Sequence, residues 1–442
     1  MEPLNESEIK ARFSKKIPTK ALMIPLHLMK TLNTEYKQFL LNIPKKPAIL
    51  KEVSSDNCKM VVLSVEISKT PFETWPEQLQ SFIKSFDLKI KDHDVLMNYD
   101  DFTFVEVLQE YLPKDVLIPS GFETVGTIAH LNLQKNQLLH KKTIAQVLLD
   151  KNPAIKTVVN KTEALSNVFR TPELEILAGV PSLETEVKEG KCLFKLAYDK
   201  VYWNSKLQAE RDRMLDLFKP NDVILDLFCG VGPLSVRAAK KGCFVVANDL
   251  NPQCYDYLKV NVEKNNVSSR VLCLNMDARE CFYKIVENGK NEVNEKIAKN
   301  FKHFQHIYMN LPGDAITFLD MFYGFLKKAD VEFWKDKELP LIHVYSFSDS
   351  DENKSKDLIT QRIISFLPNF TAKDLIHFHT IKDVSVHKKM FGVTFRLNRS
   401  DSLGISANIK EGKGDELEET KEKEENKKED FGEKTHKKIK KN

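Results

Sequence analysis

Seven cysteines are scattered through 442 residues with no Cys-x-x-Cys pair and no Cys/His cluster of zinc spacing. That pattern excludes a recognisable disulfide framework and a structural zinc site, so reduced thiols and no metal are expected. No apolar run approaches the roughly 20 residues of a membrane span, and no membrane partner is expected. Charge of one sign is lacking too. Lys+Arg 67 against Asp+Glu 63 leaves +4, and any nucleic-acid contact must come from local distribution. Residues 1–10 do not have the form of a secretory signal, and their acids argue against a strong mitochondrial presequence, although Lys10-Ala-Arg-Phe-Ser-Lys-Lys is basic. An intracellular protein of the cytoplasm and/or nucleus is expected, with a mitochondrial matrix pool left open.

What is present is a soluble globular composition, 42% hydrophobic and 29% charged. A single core rarely serves more than about 250–300 residues, so several domains are expected. Residues 1–105 mix strand-like runs such as Met60-Val-Val-Leu-Ser-Val-Glu-Ile with an amphipathic stretch near Leu79 and read as a small α+β domain. Residues 106–195 read as an intermediate α+β domain. Residues 196–400 alternate strand and helix in the way that yields a parallel sheet, with a Lys/Glu/Asn-rich insertion at about 288–302. Residues 401–442 are Lys/Glu-rich, with too little apolar surface to offset ordering entropy, and read as disordered.

The chemistry sits in the third domain. Val223-Ile-Leu-Asp226-Leu-Phe-Cys-Gly230-Val-Gly232-Pro233 reads as a strand and a glycine turn, followed by a helix and a second strand, Val245-Val-Ala-Asn-Asp249, that ends in a carboxylate. This half-fold binds the sugar of an adenosine cofactor. Gly230 and Gly232 allow close backbone approach, and Asp249 can accept both ribose hydroxyls. The third glycine of a dinucleotide site is missing, because Pro233 and Leu234 follow Gly232. A cofactor without phosphates, S-adenosylmethionine, therefore fits better than NAD. A further strand, His306-Ile-Tyr-Met309, ends in Asn310-Leu-Pro312 at the carboxyl edge where open α/β sheets bind ligands. Leu272-Cys-Leu-Asn-Met-Asp277-Ala278 supplies another strand end, with an acid for the adenine side. His377 and His379 would share one strand face and, without further ligands, read as structural.

Taken in order, Val125-Gly-Thr-Ile-Ala-His-Leu-Asn132, Phe169-Arg170-Thr, Val201-Tyr202-Trp-Asn204, the Asp226 to Pro233 loop, Ala247-Asn-Asp-Leu-Asn-Pro252 and Met309-Asn-Leu-Pro312 closely resemble the tRNA (guanine-37 N1)-methyltransferases of the archaeal and eukaryotic type. The resemblance covers roughly residues 100–400. It implies a class I, Rossmann-like S-adenosylmethionine-dependent methyltransferase domain preceded by smaller α+β domains that engage tRNA. The implied product is 1-methylguanosine beside the anticodon, which supports reading-frame maintenance and, in tRNA-Phe, early wybutosine synthesis. A monomer is implied as well.

Methylating N1 of guanine requires removing its proton, accommodating negative charge at O6 and aiming the lone pair at a sulfonium methyl. The resemblance assigns Glu210 as base and Arg170 as the O6 partner, and Asn310 to the guanine edge or the methionine moiety. It places Arg211 on the cofactor carboxylate and Tyr202 on the purine or the methionine side. Asp226, Gly230, Gly232, Asp249, Leu250, Asp277 and Ala278 complete the cofactor set. General base catalysis contributes about 10² to 10⁴-fold. Two departures stand out. Ser205-Lys206 replaces the Pro-Arg of many relatives, which loses a planar fork, and Cys229 stands where a small residue is common. The rival reading on a kindred fold is aminocarboxypropyl transfer in wybutosine synthesis. It shares the Asp226 to Pro233 and Asp249 features but needs a different base.

Overall fold

The computed structural model describes residues 12–53, 57–162, 169, 171–287, 303–329, 331–349, 351–385 and 387–406. The insertion expected at 288–302, Arg170 and the expected tail from residue 407 onward lie outside the described residues. The chain packs as two compact units, residues 1–189 with 193–205 and residues 190–192 with 206–442.

The first unit holds two four-stranded sheets. Strands β1 (Lys15–Pro25), β2 (Ile49–Val53), β3 (Cys58–Val62) and β4 (Lys89–Met97) pair antiparallel in the order β2-β3-β1-β4. Side chains alternate across a strand. Leu22 and Ile24 therefore share one face with Leu32, Leu79 and Phe82 of the covering helices, and Ala21 joins Val62 and Val95 on the other. The strand-like run through Ile67 breaks early, because the Ser64 side chain accepts from the Ile67 N–H and caps a short helix, Val65–Ser68. The second sheet takes β5 (Glu123–Val125), β6 (Ile128–Leu131), β7 (Thr157–Lys161) and β8 (Leu174–Gly179) in chain order. Helix Lys141–Lys151 crosses between parallel β6 and β7. Helix Phe104–Tyr111 starts at a reciprocal Thr103–Glu106 cap and buries Val107 and Leu108 in the same core as Ala129, Leu131 and Ile144. A hairpin of β9 (Glu184–Glu189) and β10 (Cys192–Ala197) follows.

The second unit is built on one seven-stranded sheet. Its strands are β11 (Val223–Asp226), β12 (Phe244–Asn248), β13 (Val271–Leu274), β14 (His306–Met309), β15 (Leu341–Ser348), β16 (Leu375–Ser385) and β17 (Lys388–Arg396), in the order β13-β12-β11-β14-β15-β17-β16. The first five are mutually parallel, and β17 enters antiparallel between β15 and β16. This is the class I, Rossmann-like arrangement. Successive strands step outward from β11 to β13 and then return to β14 on its other side, so the chain reverses between β11 and β14. Ligands of such sheets bind outside the carboxyl ends of the strands at that reversal. Near-continuous burial of β11, β12 and β14 fits strands covered on both faces. One face packs Val246, Ile307, Phe282, Phe322 and Phe391 into the main core.

A buried polar chain crosses this sheet. His306 Nε2 lies 3.4 Å from Asp222 Oδ2, His306 Nδ1 lies 3.0 Å from His343 Nε2, and His343 Nδ1 lies 2.9 Å from Thr394 Oγ1. With Asp222 accepting, one consistent pattern runs Thr394 to His343 to His306 to Asp222 with both rings neutral. Burial, the largest cause for each, pushes both imidazoles below the ordinary histidine range, and His306 pushes His343 further. The unfolded chain takes up protons below about pH 6.5 that the folded rings refuse, so this contribution is intact above that pH and lost as pH falls. We expect the urea midpoint to fall more steeply between roughly pH 7 and pH 5 in the parent than in His343→Gln, since groups common to both cancel. Equal slopes would show that the His343 ring carries no linkage.

Candidate active site

The end of β11 is organised before any ligand enters. Asp226 is buried, its Oδ2 accepts from Ser235 Oγ at 2.6 Å, and its Oδ1 has no partner among the described residues. Burial, the largest cause, pushes its carboxyl up to about 7 against the opposing Ser235 bond. The loop then turns through Gly230 (φ 57°) and Gly232 (φ 86°). A Cβ on Gly232 would lie 2.6 Å from Leu258 Cδ1, whereas one on Gly230 would meet nothing within 4 Å. Gly232 is therefore a packing requirement, while Gly230 faces open space where a ligand can approach.

Asp249, half-buried at the end of β12, turns its Oδ2 onto Gly230 N–H at 2.8 Å and its Oδ1 onto Asn251 N–H at 2.9 Å. Burial raises its carboxyl, and those two backbone bonds oppose the rise. Asn248, also buried, donates to the carbonyls of Leu227 and Met276 and accepts from Met276 N–H, stitching the ends of β11, β12 and β13 together. Asn275 holds the Asp249 and Leu250 carbonyls, and Asn261 holds that of Val231. These amides escaped sequence reasoning. Asn248 could have been noticed as an amide in a strand otherwise made of Phe, Val and Ala, where Asn is disfavoured.

Leu250 is exposed beside Asp249, and Ala278 is buried at the start of helix Ala278–Glu287. Asp277 spends its Oδ1 on capping that helix, accepting from Arg279 N–H at 2.8 Å, with Oδ2 left for a ligand. Asn310, half-buried, follows β14 at the reversal point. Gly230, Gly232, Asp249, Leu250, Asp277 and Asn310 thus share the carboxyl edge of one sheet. The residues fit an adenosine-type cofactor: open space over Gly230, a carboxylate beside it, and a buried oxygen of Asp226 left unpaired.

Glu210 lies on helix Gln208–Leu217 and is only 6% exposed, although it stands in the charged run Glu210-Arg-Asp-Arg213. Arg213 donates from Nη2 to Oε1 at 2.7 Å and from Nε to Oε2 at 2.9 Å. The Tyr345 hydroxyl donates to Oε1 at 2.7 Å, and His379 Nε2 lies 2.9 Å from Oε2. An ionised carboxylate only accepts, so His379 Nε2 carries the hydrogen. Burial alone would raise the Glu210 carboxyl, but the bonds from Arg213, His379 and Tyr345 prevail and hold it at about 2. The Tyr345 ring meets Tyr308 edge-on at 5.3 Å, and Tyr308 pairs with Asp226 across the sheet, which ties Glu210 to the cofactor edge. Arg211 is buried on the same helix. Tyr202, exposed, with its hydroxyl accepting from Asn204 at 3.1 Å, belongs to the first unit. Arg170 is outside the described residues. Among the described residues no group of acids, histidines and cysteines could hold a metal, and no helix is long and apolar enough to cross a membrane.

The chain is similar to known proteins in sequence and in fold. A family profile for the TRM5/TYW2 methyltransferase domain matches residues 185–348, and one for the TYW2 N-terminal domain matches residues 104–182. A tRNA (guanine(37)-N(1))-methyltransferase of Paramecium tetraurelia is 39% identical over 402 residues, 89% of each chain. One of Batrachochytrium dendrobatidis is 34% identical over 430 residues, 90% of each. The solved complex of aTrm5 and tRNALeu matches with a TM-score of 0.64 at 21% identity, over 86% of this chain and 100% of that one, a likeness of fold. Fold and site define a class I methyltransferase that uses an S-adenosylmethionine-type cofactor. Within that class, the chain belongs to the tRNA (guanine(37)-N(1))-methyltransferase family.

Asp249→Ala removes a carboxylate whose charge-assisted bonds are worth roughly 1.5–3 kcal/mol each, so cofactor Kd measured by calorimetry is expected to rise about 10- to 100-fold. Asp249→Asn, which keeps an acceptor for Gly230, should fall between the two. Unchanged affinity in the alanine variant would place the ribose elsewhere.

Proposed function

We propose that this enzyme transfers the methyl group of S-adenosylmethionine to N1 of guanosine-37 in tRNA, giving 1-methylguanosine. Similarity to the Paramecium tetraurelia methyltransferase, 39% identical across 89% of both chains, carries this reading, and the geometry adds a chemical account. The cofactor, when bound, supplies an electrophilic methyl on a sulfonium. Asp249 takes the ribose hydroxyls, Asp277 and Ala278 the adenine side, and Arg211 the cofactor carboxylate. Asn310, at the reversal between β11 and β14, orients the guanine edge with an amide that donates and accepts. Glu210 Oε2 removes the N1 proton. The freed nitrogen lone pair bonds to the methyl carbon as the carbon–sulfur bond breaks and its electrons return to sulfur. Arg170 neutralises the charge that spreads to O6, a donor role typically worth about 10² to 10³-fold, and Tyr202 stacks on the purine.

A carboxyl held at about 2 stays ionised at neutral pH, the state a base needs. It is a weak base on that account, so positioning of the N1–H against it must supply much of the acceleration. The same reading takes the enzyme as a monomer acting in the cytoplasm and/or nucleus, with a matrix pool allowed by the basic stretch at residues 10–16. Aminocarboxypropyl transfer is not favoured, since the curated relatives named above are N1-methyltransferases.

Incubation with labelled S-adenosylmethionine and unmodified tRNA bearing G37 is expected to give 1-methylguanosine on nucleoside analysis. A product heavier by the aminocarboxypropyl group would overturn the reading. Glu210→Gln keeps shape and some hydrogen bonding but cannot take the proton, and kcat is expected to fall by about 10² or more with cofactor and tRNA affinity nearly unchanged. Full activity of that variant would remove Glu210 from the role.

A further inference from the structure

The four hydrogen bonds on Glu210 occupy about all the acceptor sites a carboxylate has. A base must have a free lone pair, so one donor has to give way when guanine arrives. Arg213 holds both oxygens in a bidentate clasp from the same helix, with two charge-assisted bonds that would have to break together. Tyr345 is 1% exposed and wedged against Tyr308, with no room to swing. His379 differs from both. It makes one bond, its side chain is 21% exposed, and it stands on β16, the edge strand of the sheet, whose pairing with β17 is shifted on either side of it.

The neighbouring strand is shaped for this ring. Gly392 pairs with His379 across β16 and β17, and a Cβ there would lie 2.5 Å from His379 Cε1 and 3.2 Å from both ring nitrogens. Glycine leaves the slot through which the imidazole lies across the strand to reach Glu210. His379 Nδ1 is buried without a partner among the described residues. The groups facing this cluster are Arg211 and Arg213 from the helix, Tyr308 from β14, His343 and Tyr345 from β15, and His377 beside His379 on β16.

We propose that His379, seated in the slot made by Gly392, is a positioning residue for the methyl transfer: its Nε2–H fixes Glu210 Oε2 in the resting site and yields that oxygen to the N1–H of guanine. One ring N–H donor replaces another of similar shape, so the carboxylate keeps its orientation and is never left buried without a donor. The N1 proton then goes to Oε2. This rests on the reading of Glu210 as the base.

Losing a donor to the ionised form moves a carboxyl upward, and this bond exists in the resting enzyme, so the acid limb of the kcat/KM profile, which reports the free enzyme, should move to higher pH when the bond is removed. His379→Phe is expected to lower kcat about tenfold, with cofactor and tRNA Kd within about twofold of the parent, and to shift the acid limb upward. His379→Gln, which retains an N–H donor, should recover kcat to within about threefold and restore the limb. Gly392→Ala, which pushes the ring aside without deleting any donor, should reproduce the phenylalanine variant. In the Glu210→Gln background, His379→Phe should cost less than about twofold more, because it acts through Glu210. Parental kcat and pH profile in His379→Phe, or the same tenfold loss with Glu210 already replaced, would overturn the proposal. Full activity of Glu210→Gln alone would instead overturn the base assignment, and it is read without any change at 379.

Discussion

The buried carboxylate of Glu210 is the interaction on which the polar packing of the second unit depends. A lone charge at that depth would be prohibitive, and it persists only because a guanidinium, a phenol and an imidazole converge on it from a helix and two strands. The same convergence joins three elements at one point. Helix Gln208–Leu217 has few apolar residues to bind it to the sheet, and of its buried residues Glu210 and Arg211 outnumber Met214. Polar satisfaction does here what a leucine stripe does on an ordinary helix. Hydrophobic packing alone at this place could hold the helix but not a buried charge.

At the other end of the site, order comes from amides. Asn248, Asn261 and Asn275 tie loops to carbonyls of neighbouring strand ends, and Asp249 is itself braced by two backbone N–H groups. The loop around Gly230 is preorganised by groups that need not touch a ligand, which lowers the ordering cost of binding. Asp226 contributes differently. It is too buried to reach solvent, and its bond from Ser235 fixes the start of the next helix beneath the loop.

The glycine turn and its carboxylate at the sheet edge were legible because their determinants are local. Gly230, Gly232 and Asp249 sit within one strand-turn-helix-strand unit, so spacing alone places a carboxylate beside a glycine turn. Asn310 was legible from the strand that precedes it. The environment of Glu210 was not. Its partners Tyr345 and His379 lie 135 and 169 residues further on, and nothing near position 210 distinguishes it from a solvated glutamate in a charged run. His377 and His379 were visible as a pair on one strand face, yet which of them meets a carboxylate depends on the register of β16 against β17, with its shifts, and on a glycine in the facing strand. The break after Val62 illustrates the converse, where a single serine cap overrides a strand-like run.

The antiparallel entry of β17 between β15 and β16 has a consequence for how the enzyme comes into being. On a ribosome, β11 to β15 and the cofactor loop emerge well before residues 375–396, and the sheet cannot close until the last of its strands has inserted between two others. Such long-range pairing is slow, because loop closure precedes its reward. The cofactor edge can therefore take shape on a nascent chain while the carboxylate still lacks its imidazole. The polar cluster on Glu210 is completed late in synthesis, and a chain cut short before β16 would hold the glycine loop and Asp249 without the imidazole that braces Glu210.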